Sequence, residues 1–450
     1  MIDIKLARRD LLRATTALPL VAIGGRLRAE DGDADLRAAF YFAYPLYEFA
    51  RSEQTIAQCV GQSGLINIVK QRVQLADASS RNVTAPNNDT IYSSAFLDLS
   101  AGPVEVQVPD VRDRYFSCAF MDALTDNFAY IGTRATNGRG GRFWIAGPQW
   151  AGRAPAGVTL FRSSSNDVWM LARTLVDGPA DLEKAKAIQA QVKVIVPPGR
   201  SPARGFTTKA TPVPQDPALF LAVVNEMLRR SPGGKGQFAR AVRFRALGIG
   251  IDGPQSAALL KRWGDYLPTG VADLREGFLF RDLVSDGWSY QPRGVGEFGA
   301  DDHLRAMIAL GGIAALGERE AMYFHANFEK GGARLSGEHA YRWRVPPGGV
   351  PVRGFWSLTM YDPQADGRYF LVDNPIHRYS IGDRTPGLVR NPDGSIDILI
   401  QHDQPKGPLA ANWLPAPAGP MRLALRAYLP EHALIERKWR VPPLERVSAQ

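Results

Sequence analysis

The segment that decides the fold is RYFSCAFMD at residues 114–122, because a similar segment, GFWSLTMYD, recurs at residues 354–362. Aromatic residues, a serine and a terminal aspartate occupy the same places in both. Downstream, IGTR at 131–134 matches IGDR at 381–384, and LAR at 171–173 matches ALR at 424–426. A shared order of several features predicts an internal duplication, although chance similarity between aromatic-rich strands is the alternative.

Each copy consists of short apolar segments, and Gly, Pro, Asn and Asp residues separate one segment from the next. This pattern is typical of all-β sandwiches, and it predicts two jelly-roll-like antiparallel β-sandwich domains. In the first copy the predicted strands are 91–99, 104–108, 115–121, 128–131, 142–145, 158–161 and 168–175. In the second copy they are 340–345, 352–361, 378–381, 396–401 and 421–428.

Helical spacing of apolar residues appears before and between the two copies. Residues 35–60 predict a helix that Pro45 kinks or breaks. Further helices are predicted at 181–194, 216–229, 235–247, 254–263, 272–279 and 302–316. The chain is therefore predicted to be α+β, with an inserted helical region and four parts: 1–29, 30–178, 179–330 and 331–450.

The first of these parts is predicted to be a signal peptide. Arg8 and Arg9 precede a short apolar stretch at 14–25, which is the pattern of a twin-arginine export signal. The alternative is an amphipathic first helix with coincidental arginines. Export predicts a periplasmic or secreted protein, and no later apolar run is long enough to serve as a transmembrane segment.

Composition narrows the classes of partner and cofactor. The net charge is +9, but the basic residues are scattered and form no stripe of the kind that binds nucleic acid, so no nucleic-acid partner is expected. The six histidines occur singly, without a metal-ligand spacing, and neither a metal nor another cofactor is predicted. Whether Cys59 and Cys118 form a disulfide is left open.

Several motifs resemble a bacterial family that combines two domains of unknown function, numbers 1254 and 1214. PNNDTIY at 86–92, IGTR at 131–134 and GPQW at 147–150 are similar to the first domain. GFWSLTMYD at 354–362, RYSIGD at 378–383 and NWLPAP at 412–417 are similar to the second. The resemblance extends from about residue 36 to about residue 447. It implies sandwich-like domains with a helical portion, and it leaves homo-oligomer formation open. No established reaction comes with it.

Polar residues present in only one copy are the candidate site, since residues shared by both copies are expected to serve the scaffold. Asp89 and Tyr92 are the candidate catalytic pair, because a carboxylate and a phenol three residues apart can perform acid–base chemistry without a metal. The candidate substrate-binding residues are Asn87, Asn88, Asn127, Arg134, Asn374, Arg378, Tyr379 and Trp413, and Arg134 is included although Arg384 matches it in the second copy. Asn and Asp in series also form Asx turns, and a loop tryptophan also covers a core, so structural roles are the alternative.

Two functions follow from these candidates. One is a metal-independent hydrolase or lyase that acts on a saccharide or a small ester. The alternative is a non-catalytic periplasmic protein that binds a ligand or an envelope component. Either function predicts a small-molecule or glycan ligand.

Overall fold

The computed structural model describes residues 21–81, 84–232, 236–364 and 368–448, with side chains from residue 34 onward. The predicted twin-arginine signal, with Arg8 and Arg9, lies outside the described residues. Helix α1 (Val21–Ala57) continues through Pro45, so of the predicted kink or break the break does not occur. Apolar contacts around Phe40 and Tyr47, which are fully buried, keep the helix continuous despite the backbone hydrogen bond that proline cannot make.

A first unit of two packed sheets follows α1. Its strands are β1 (Lys70–Arg72), β2 (Thr90–Asp98), β3 (Val104–Val108), β4 (Phe116–Asp122), β5 (Asn127–Gly132), β6 (Gly141–Ala146), β7 (Val158–Arg162), β8 (Asp167–Leu175) and β9 (Lys193–Ile195). The large sheet has the order β1-β2-β8-β4-β5, and the small sheet has the order β7-β6-β3-β9. All these pairs are antiparallel except β6–β7. The seven strands predicted here match β2–β8 to within one residue at each end.

Helices occupy most of the chain between the two units. In this part of the chain α2 (Leu182–Gln189) precedes β9, α3 (Pro217–Arg230), a 3-10 helix (Gly236–Leu247) and α4 (Ala257–Gly277) follow it, and α5 (Asp302–Gly312) lies after the first two strands of the second unit. The predicted helix 181–194 is shorter than expected, because its last residues form β9 and pair with β3. The predicted helices 254–263 and 272–279 are one helix, α4, that continues through Pro268. The side chain of Asp216 caps α3, as the Asp-Pro pair predicts.

A second unit of two sheets completes the fold. Its elements are β10 (Val284–Ser285), β11 (Trp288–Tyr290), β12 (Ala321–Ala326), β13 (Ala340–Val345), β14 (Trp356–Pro363), β15 (Tyr369–Leu371), β16 (Ser380–Gly382), β17 (Ile396–Gln401), β18 (Trp413–Pro415), β19 (Arg422–Tyr428), the short helix α6 (His432–Ile435) and β20 (Leu444–Val447). The large sheet has the order β10-β11-β12-β19-β14-β15, with β16 also paired to β14, and the small sheet has the order β18-β17-β13-β20. Strand β12 lies before residue 331, so the second unit begins upstream of the predicted boundary.

The two large sheets share a strand order and a register. The order β2-β8-β4-β5 in the first unit corresponds to β12-β19-β14-β16 in the second. In the first unit the residues aligned across three strands are Tyr92, Arg173 and Ser117, and in the second they are Tyr323, Arg426 and Ser357. Arg173 and Arg426 therefore occupy equivalent positions at the centres of the two sheets.

Each large sheet has an inner face in the core of its own unit and an outer face. The outer faces of the two sheets meet, because Tyr115 and Leu175 of the first unit pack with Phe355 and Tyr428 of the second. The rings of Tyr115 and Tyr428 lie 5.0 Å apart. At the other end of the first sheet, Phe96 and its neighbours pack against the helices. Side chains on the outer faces are therefore enclosed as well.

These observations confirm an α+β fold made mostly of antiparallel sheets, with helices before and between the two sheet regions. Among the described residues, no helix combines the length and the apolar composition needed to cross a membrane.

Matching glycines test the equivalence of the two units. A Cβ atom at Gly132 would lie 2.2 Å from the carbonyl oxygen of Phe116, and one at Gly382 would lie 2.2 Å from that of Trp356. We expect Gly132→Ala and Gly382→Ala each to lower the free energy of unfolding by about 2 kcal/mol or more. Gly331→Ala is the control, because a Cβ there meets nothing within 4 Å. Chemical denaturation measures all three, and an unchanged Gly382→Ala variant would contradict the equivalence.

Candidate functional site

The candidate site lies where the outer faces of the two large sheets meet. Its polar side chains form one group, here named the interface cluster: Asp89, Tyr92 and Arg173 of the first unit with Tyr323, Tyr361, Arg422, Arg426 and Tyr428 of the second. Tyr92 and Tyr323 are partly buried, and the other six are at most 7% exposed. Strand pairing fixes most of these positions, since side chains on one face alternate along each strand.

Asp89 connects the two units through hydroxyl groups. Its Oδ2 accepts a 2.6 Å hydrogen bond from Ser357 Oγ, and its Oδ1 accepts a 3.4 Å bond from Ser380 Oγ. Nearby, Asn87 accepts from the Asp89 N–H and donates through Nδ2 to the Tyr428 hydroxyl at 2.7 Å. The loop before β2 therefore inserts its polar side chains into the second unit.

Glu320 is the counterpart of Asp89 in the second unit. The N–H of Val176 donates to the Asp89 carbonyl, and the N–H of Leu429 donates to the Glu320 carbonyl in the same register. Glu320 accepts 3.0 Å and 2.5 Å hydrogen bonds from Tyr115 Oη and Arg134 Nε, both in the first unit. Each unit thus extends one carboxylate into the other.

This register corrects the prediction that Asp89 and Tyr92 belong to one copy only. Glu320 and Tyr323 stand at the equivalent positions, before and within β12. The sequence did not reveal this pairing because β12 was not predicted as a strand.

Arg173 is buried at the centre of the first large sheet and is 7% exposed. Its Nη2 donates to the Ala314 carbonyl at 2.8 Å, and its guanidinium lies 5.6 Å from the centre of the Tyr92 ring. Its Nη1 is buried and has no hydrogen-bond partner among the described residues. A buried donor without a partner is costly, so this atom marks a place where a ligand or water could accept.

Arg426 and Arg422 lie on the facing strand, β19. Arg426 donates to Thr359 Oγ1 at 2.8 Å and to the Tyr361 hydroxyl at 2.6 Å. The Arg422 guanidinium stands 4.0 Å from the centre of the Tyr369 ring. In the part of the chain that the structure describes, no carboxylate lies within ion-pair distance of Arg422, Arg426 or Arg173. The cluster therefore contains three buried cations and one carboxylate, Asp89, which interacts with Arg426.

Three tyrosines of the cluster, Tyr323, Tyr361 and Tyr428, keep their hydroxyl protons at neutral pH. Burial raises the pKa of Tyr428 well above its ordinary value, and the nearby Asp89 raises it further, while Arg426 acts in the opposite direction. Burial likewise raises the pKa of Tyr361 and of Tyr323, although Arg426 and Arg173 respectively oppose it. These phenols remain protonated, so they can bind an acceptor but are poor bases.

His325 extends the cluster toward a cavity. It lies on β12 on the same face as Tyr323, and burial lowers its pKa well below its ordinary value, with Arg422 and Arg426 lowering it further. It is therefore neutral at physiological pH. With Asn327, Pro363 and Tyr369 it lines a cavity of about 130 Å³.

Two family models match the chain. The model described as "Protein of unknown function (DUF1254)" matches residues 66–196, and the model described as "Protein of unknown function" for DUF1214 matches residues 320–432. The chain joins a DUF1254 domain to a DUF1214 domain. The order of the two domains confirms the resemblance that the motifs predict. The interface cluster lies between them, with Asp89 and Arg173 in the DUF1254 domain and Arg426 in the DUF1214 domain.

One solved structure supports the fold. The VPA0106 protein from Vibrio parahaemolyticus is similar, with a TM-score of 0.71 and 23% identity over 92% of this chain and 99% of that one. An uncharacterized protein from Burkholderia cenocepacia has a TM-score of 0.43 and 13% identity, over 95% of this chain and 98% of that one. No curated protein matches the chain.

Several predicted substrate-binding residues serve the DUF1214 domain itself. Arg378 donates to the carbonyls of Ala411 and Trp413 at 2.9 Å and 2.8 Å. Asn374 donates through Nδ2 to the Arg378 carbonyl and accepts from the Arg378 N–H through Oδ1, which closes a turn. Trp413 is 1% exposed, and its indole N–H donates to the Gln401 carbonyl. These contacts are intramolecular, so the structure gives Asn374, Arg378 and Trp413 roles within the domain and does not bring them to the interface cluster.

The remaining candidates lie around the cluster or hold it in place. Asn88 donates to the Ala76 carbonyl, and Tyr379 packs in the same small apolar group as Ala76 and Tyr361. Asn127 donates to the Ala315 carbonyl in the helical region, and Arg134 pairs with Glu320 as described. Of the predicted set, the structure thus brings Asn87, Asp89 and Tyr92 together. It adds Arg173, Arg422, Arg426, Tyr323, Tyr361, Tyr428 and His325, which sequence reasoning missed.

The other chemistry-bearing side chains are dispersed. Within the described residues, no group of three or more His, Cys, Asp or Glu side chains could hold a metal ion. Cys59 and Cys118 are both free and buried, and burial raises the pKa of Cys59 to about 12.

The carboxylate exchange between the domains predicts a loss of stability when Glu320 is neutralised. Glu320→Gln leaves the Arg134 guanidinium without its partner in a site where the carboxylate is 2% exposed. We expect the free energy of unfolding to fall by about 3 kcal/mol. The control is Glu445→Gln, which removes a half-exposed surface pair with Arg342 and should cost less than about 1 kcal/mol. Equal effects in the two variants would contradict a stabilising role for the exchange.

The depressed pKa of His325 predicts a pH effect. Below about pH 6.5 the His325 ring binds a proton in the unfolded chain but stays neutral in the folded protein. The free energy of unfolding is therefore fully retained above this pH and decreases as the pH falls below it. The slope from this group is at most about 1.4 kcal/mol per pH unit. His325→Gln should make the pH dependence shallower in denaturation series at pH 5.0–7.5. His432→Gln, with a side chain 94% exposed, should leave the slope unchanged.

Proposed function

We propose that the chain is an exported protein that binds a small hydroxylated ligand at the interface cluster, between its two domains. The observation that carries the proposal is a set of buried polar atoms without hydrogen-bond partners among the described residues: Arg173 Nη1, Ser117 Oγ and Thr90 Oγ1. All three residues lie on the outer face of the first large sheet, which faces the second unit. Donors and acceptors in this arrangement suit a hydroxylated molecule.

Export to the periplasm or to the exterior is part of the proposal. Its support is the Arg8-Arg9 pair ahead of a short apolar stretch, which is typical of a twin-arginine signal. Cell fractionation tests it, since a chain found only in the cytoplasm would contradict export.

We also propose that the two domains are jelly-roll-like copies that arose by duplication. The shared order of four strands and the shared register at Arg173 and Arg426 support this. Local contacts support it further, since Phe116 N donates to Thr133 Oγ1 where Trp356 N donates to Asp383 Oδ1.

A second candidate function is a metal-independent hydrolase or lyase. The specific observation in its favour is the 2.6 Å hydrogen bond between Ser357 Oγ and the buried Asp89 carboxylate, beside the Tyr92–Arg173 pair. In ester hydrolysis Asp89 would accept a proton from the attacking water while Tyr92 donates one to the leaving oxygen, and solvent would then return Asp89 and Tyr92 to their starting states. The raised pKa of the neighbouring phenols favours binding over catalysis, so binding is the first proposal.

Asp89→Asn tests both functions. The amide oxygen cannot accept as strongly from Ser357 and Ser380, so we expect at least a tenfold loss of affinity for a bound sugar or ester, or about 1.4 kcal/mol, and complete loss of any turnover. Calorimetry with glucose and galactose measures binding, and mass spectrometry with para-nitrophenyl acetate detects a chemical change.

The matched control is Asp397→Asn, because Asp397 is also largely buried and hydrogen-bonded but lies in the small sheet of the second unit. It should leave binding unchanged. A large fall in melting temperature for Asp89→Asn, with unchanged affinity, would show that Asp89 serves only the structure.

A further inference from the structure

The charge balance of the interface cluster differs from that of other buried sites in this chain. Elsewhere, buried guanidiniums are paired with carboxylates: Arg230 with Asp167 at 2.5 Å, and Arg305 with Asp126 at 2.7 Å. Such pairing is the usual way in which a protein accommodates a buried charge. Arg173, Arg422 and Arg426 are equally buried but have no carboxylate at ion-pair distance among the described residues.

The neighbouring carboxylates are already engaged. Asp89 accepts from two serine hydroxyls, and Glu320 is paired with Arg134. Asp177 is paired with Arg384 at 3.0 Å. The interface cluster therefore contains one carboxylate, Asp89, which interacts with Arg426, and three guanidiniums. The cluster retains an excess of positive charge that suits an anion.

The position of the cations defines where the anion would be held. Arg422 and Arg426 lie on one strand, with Ala424 between them and His325 opposite Ala424 on the adjacent strand. Neutral His325, flanked by the two guanidiniums, also lines the cavity, and so does Tyr369, which stacks under Arg422. The three arginines of the cluster are not among the residues that line the cavity, and His325 and Tyr369 connect it to Arg422 and Arg426.

The size of the cavity limits a ligand that extends into it from the arginines. Its volume of about 130 Å³ is similar to the roughly 150 Å³ of a cavity that holds benzene in another protein. A polymer does not fit such a volume, whereas a small acid does. His325 can exchange a hydrogen bond with a ligand hydroxyl because its ring is neutral.

We propose that the ligand of the interface cluster carries a carboxylate, bound by Arg173, Arg422 and Arg426, and is a small organic acid no larger than a monosaccharide acid. This inference rests on the binding function proposed above and specifies its ligand class. The carboxylate supplies the acceptor that Arg173 Nη1 lacks within the protein.

Matched acids and amides test the inference on the full chain. The pairs are acetate with acetamide, benzoate with benzamide, and glucuronate with glucuronamide, each titrated by calorimetry and by thermal shift. We expect at least one acid to bind ten times or more as tightly as its amide and to raise the melting temperature. Arg173→Met and Arg426→Met should abolish the preference for the acid, while Arg173→Lys should keep part of it. The control Arg342→Met, on the surface, should keep all of it.

The outcomes separate the two proposals. Amides that bind as tightly as their acids would overturn the carboxylate inference and leave the binding function standing. If neither acids nor amides nor neutral sugars bind, both fail.

A measurement without ligand adds an independent check. Arg173→Met removes an uncompensated charge, so its melting temperature should equal or exceed that of the unchanged protein. Arg230→Met breaks a buried pair with Asp167, and its melting temperature should fall. An equal fall in both variants would mean that Arg173 stabilises the fold, and it would overturn the inference.

Discussion

The structure depends on burying the outer faces of two large sheets against each other. Each sheet already covers one face with the core of its own unit, so the contact leaves few polar side chains exposed to water. Apolar rings from Tyr115, Phe355 and Tyr428 make part of this contact. The polar remainder must find partners inside the protein. Asp89 and Glu320 meet this requirement, because each carboxylate extends from its own unit and accepts hydrogen bonds from the opposite unit.

The shared strand order gives the two halves of the interface the same framework but different contents. On one side the Tyr115 hydroxyl and Arg134 both bind Glu320, which leaves a closed and charge-balanced group. On the other side Phe355 stands where Tyr115 does in the first unit and has no hydroxyl to offer. Arg384, the counterpart of Arg134, turns instead to Asp177. Asp89 therefore accepts hydrogen bonds from Ser357 and Ser380 and, within the described ranges, forms no ion pair, and the arginines of the cluster have no carboxylate at ion-pair distance there.

The strands were largely predictable from the sequence, since alternation and turn residues are local signals. β3, β13 and β17 have the predicted bounds. The predicted helix at 181–194 was wrong at its end because pairing with β3, a long-range contact, made the last residues a strand. The site was only partly predictable. Asp89 and Tyr92 do lie in one cluster, and their catalytic role stays a prediction. The partners of Arg378 and Trp413 come from distant segments, and nothing local indicates that these side chains already have partners within the protein.

The missed arginines show a weakness in using recurrence as a filter. Arg173 and Arg426 fall within the repeated segments, and a residue found in both copies was expected to serve the scaffold. That expectation holds when each copy performs its task alone. When two units with the same strand order face each other, equivalent positions are brought to the same interface, and a residue present in both units contributes twice to one site. Recurrence at a shared interface therefore doubles the local charge, and in this chain it places two guanidiniums on opposite walls of one buried cluster.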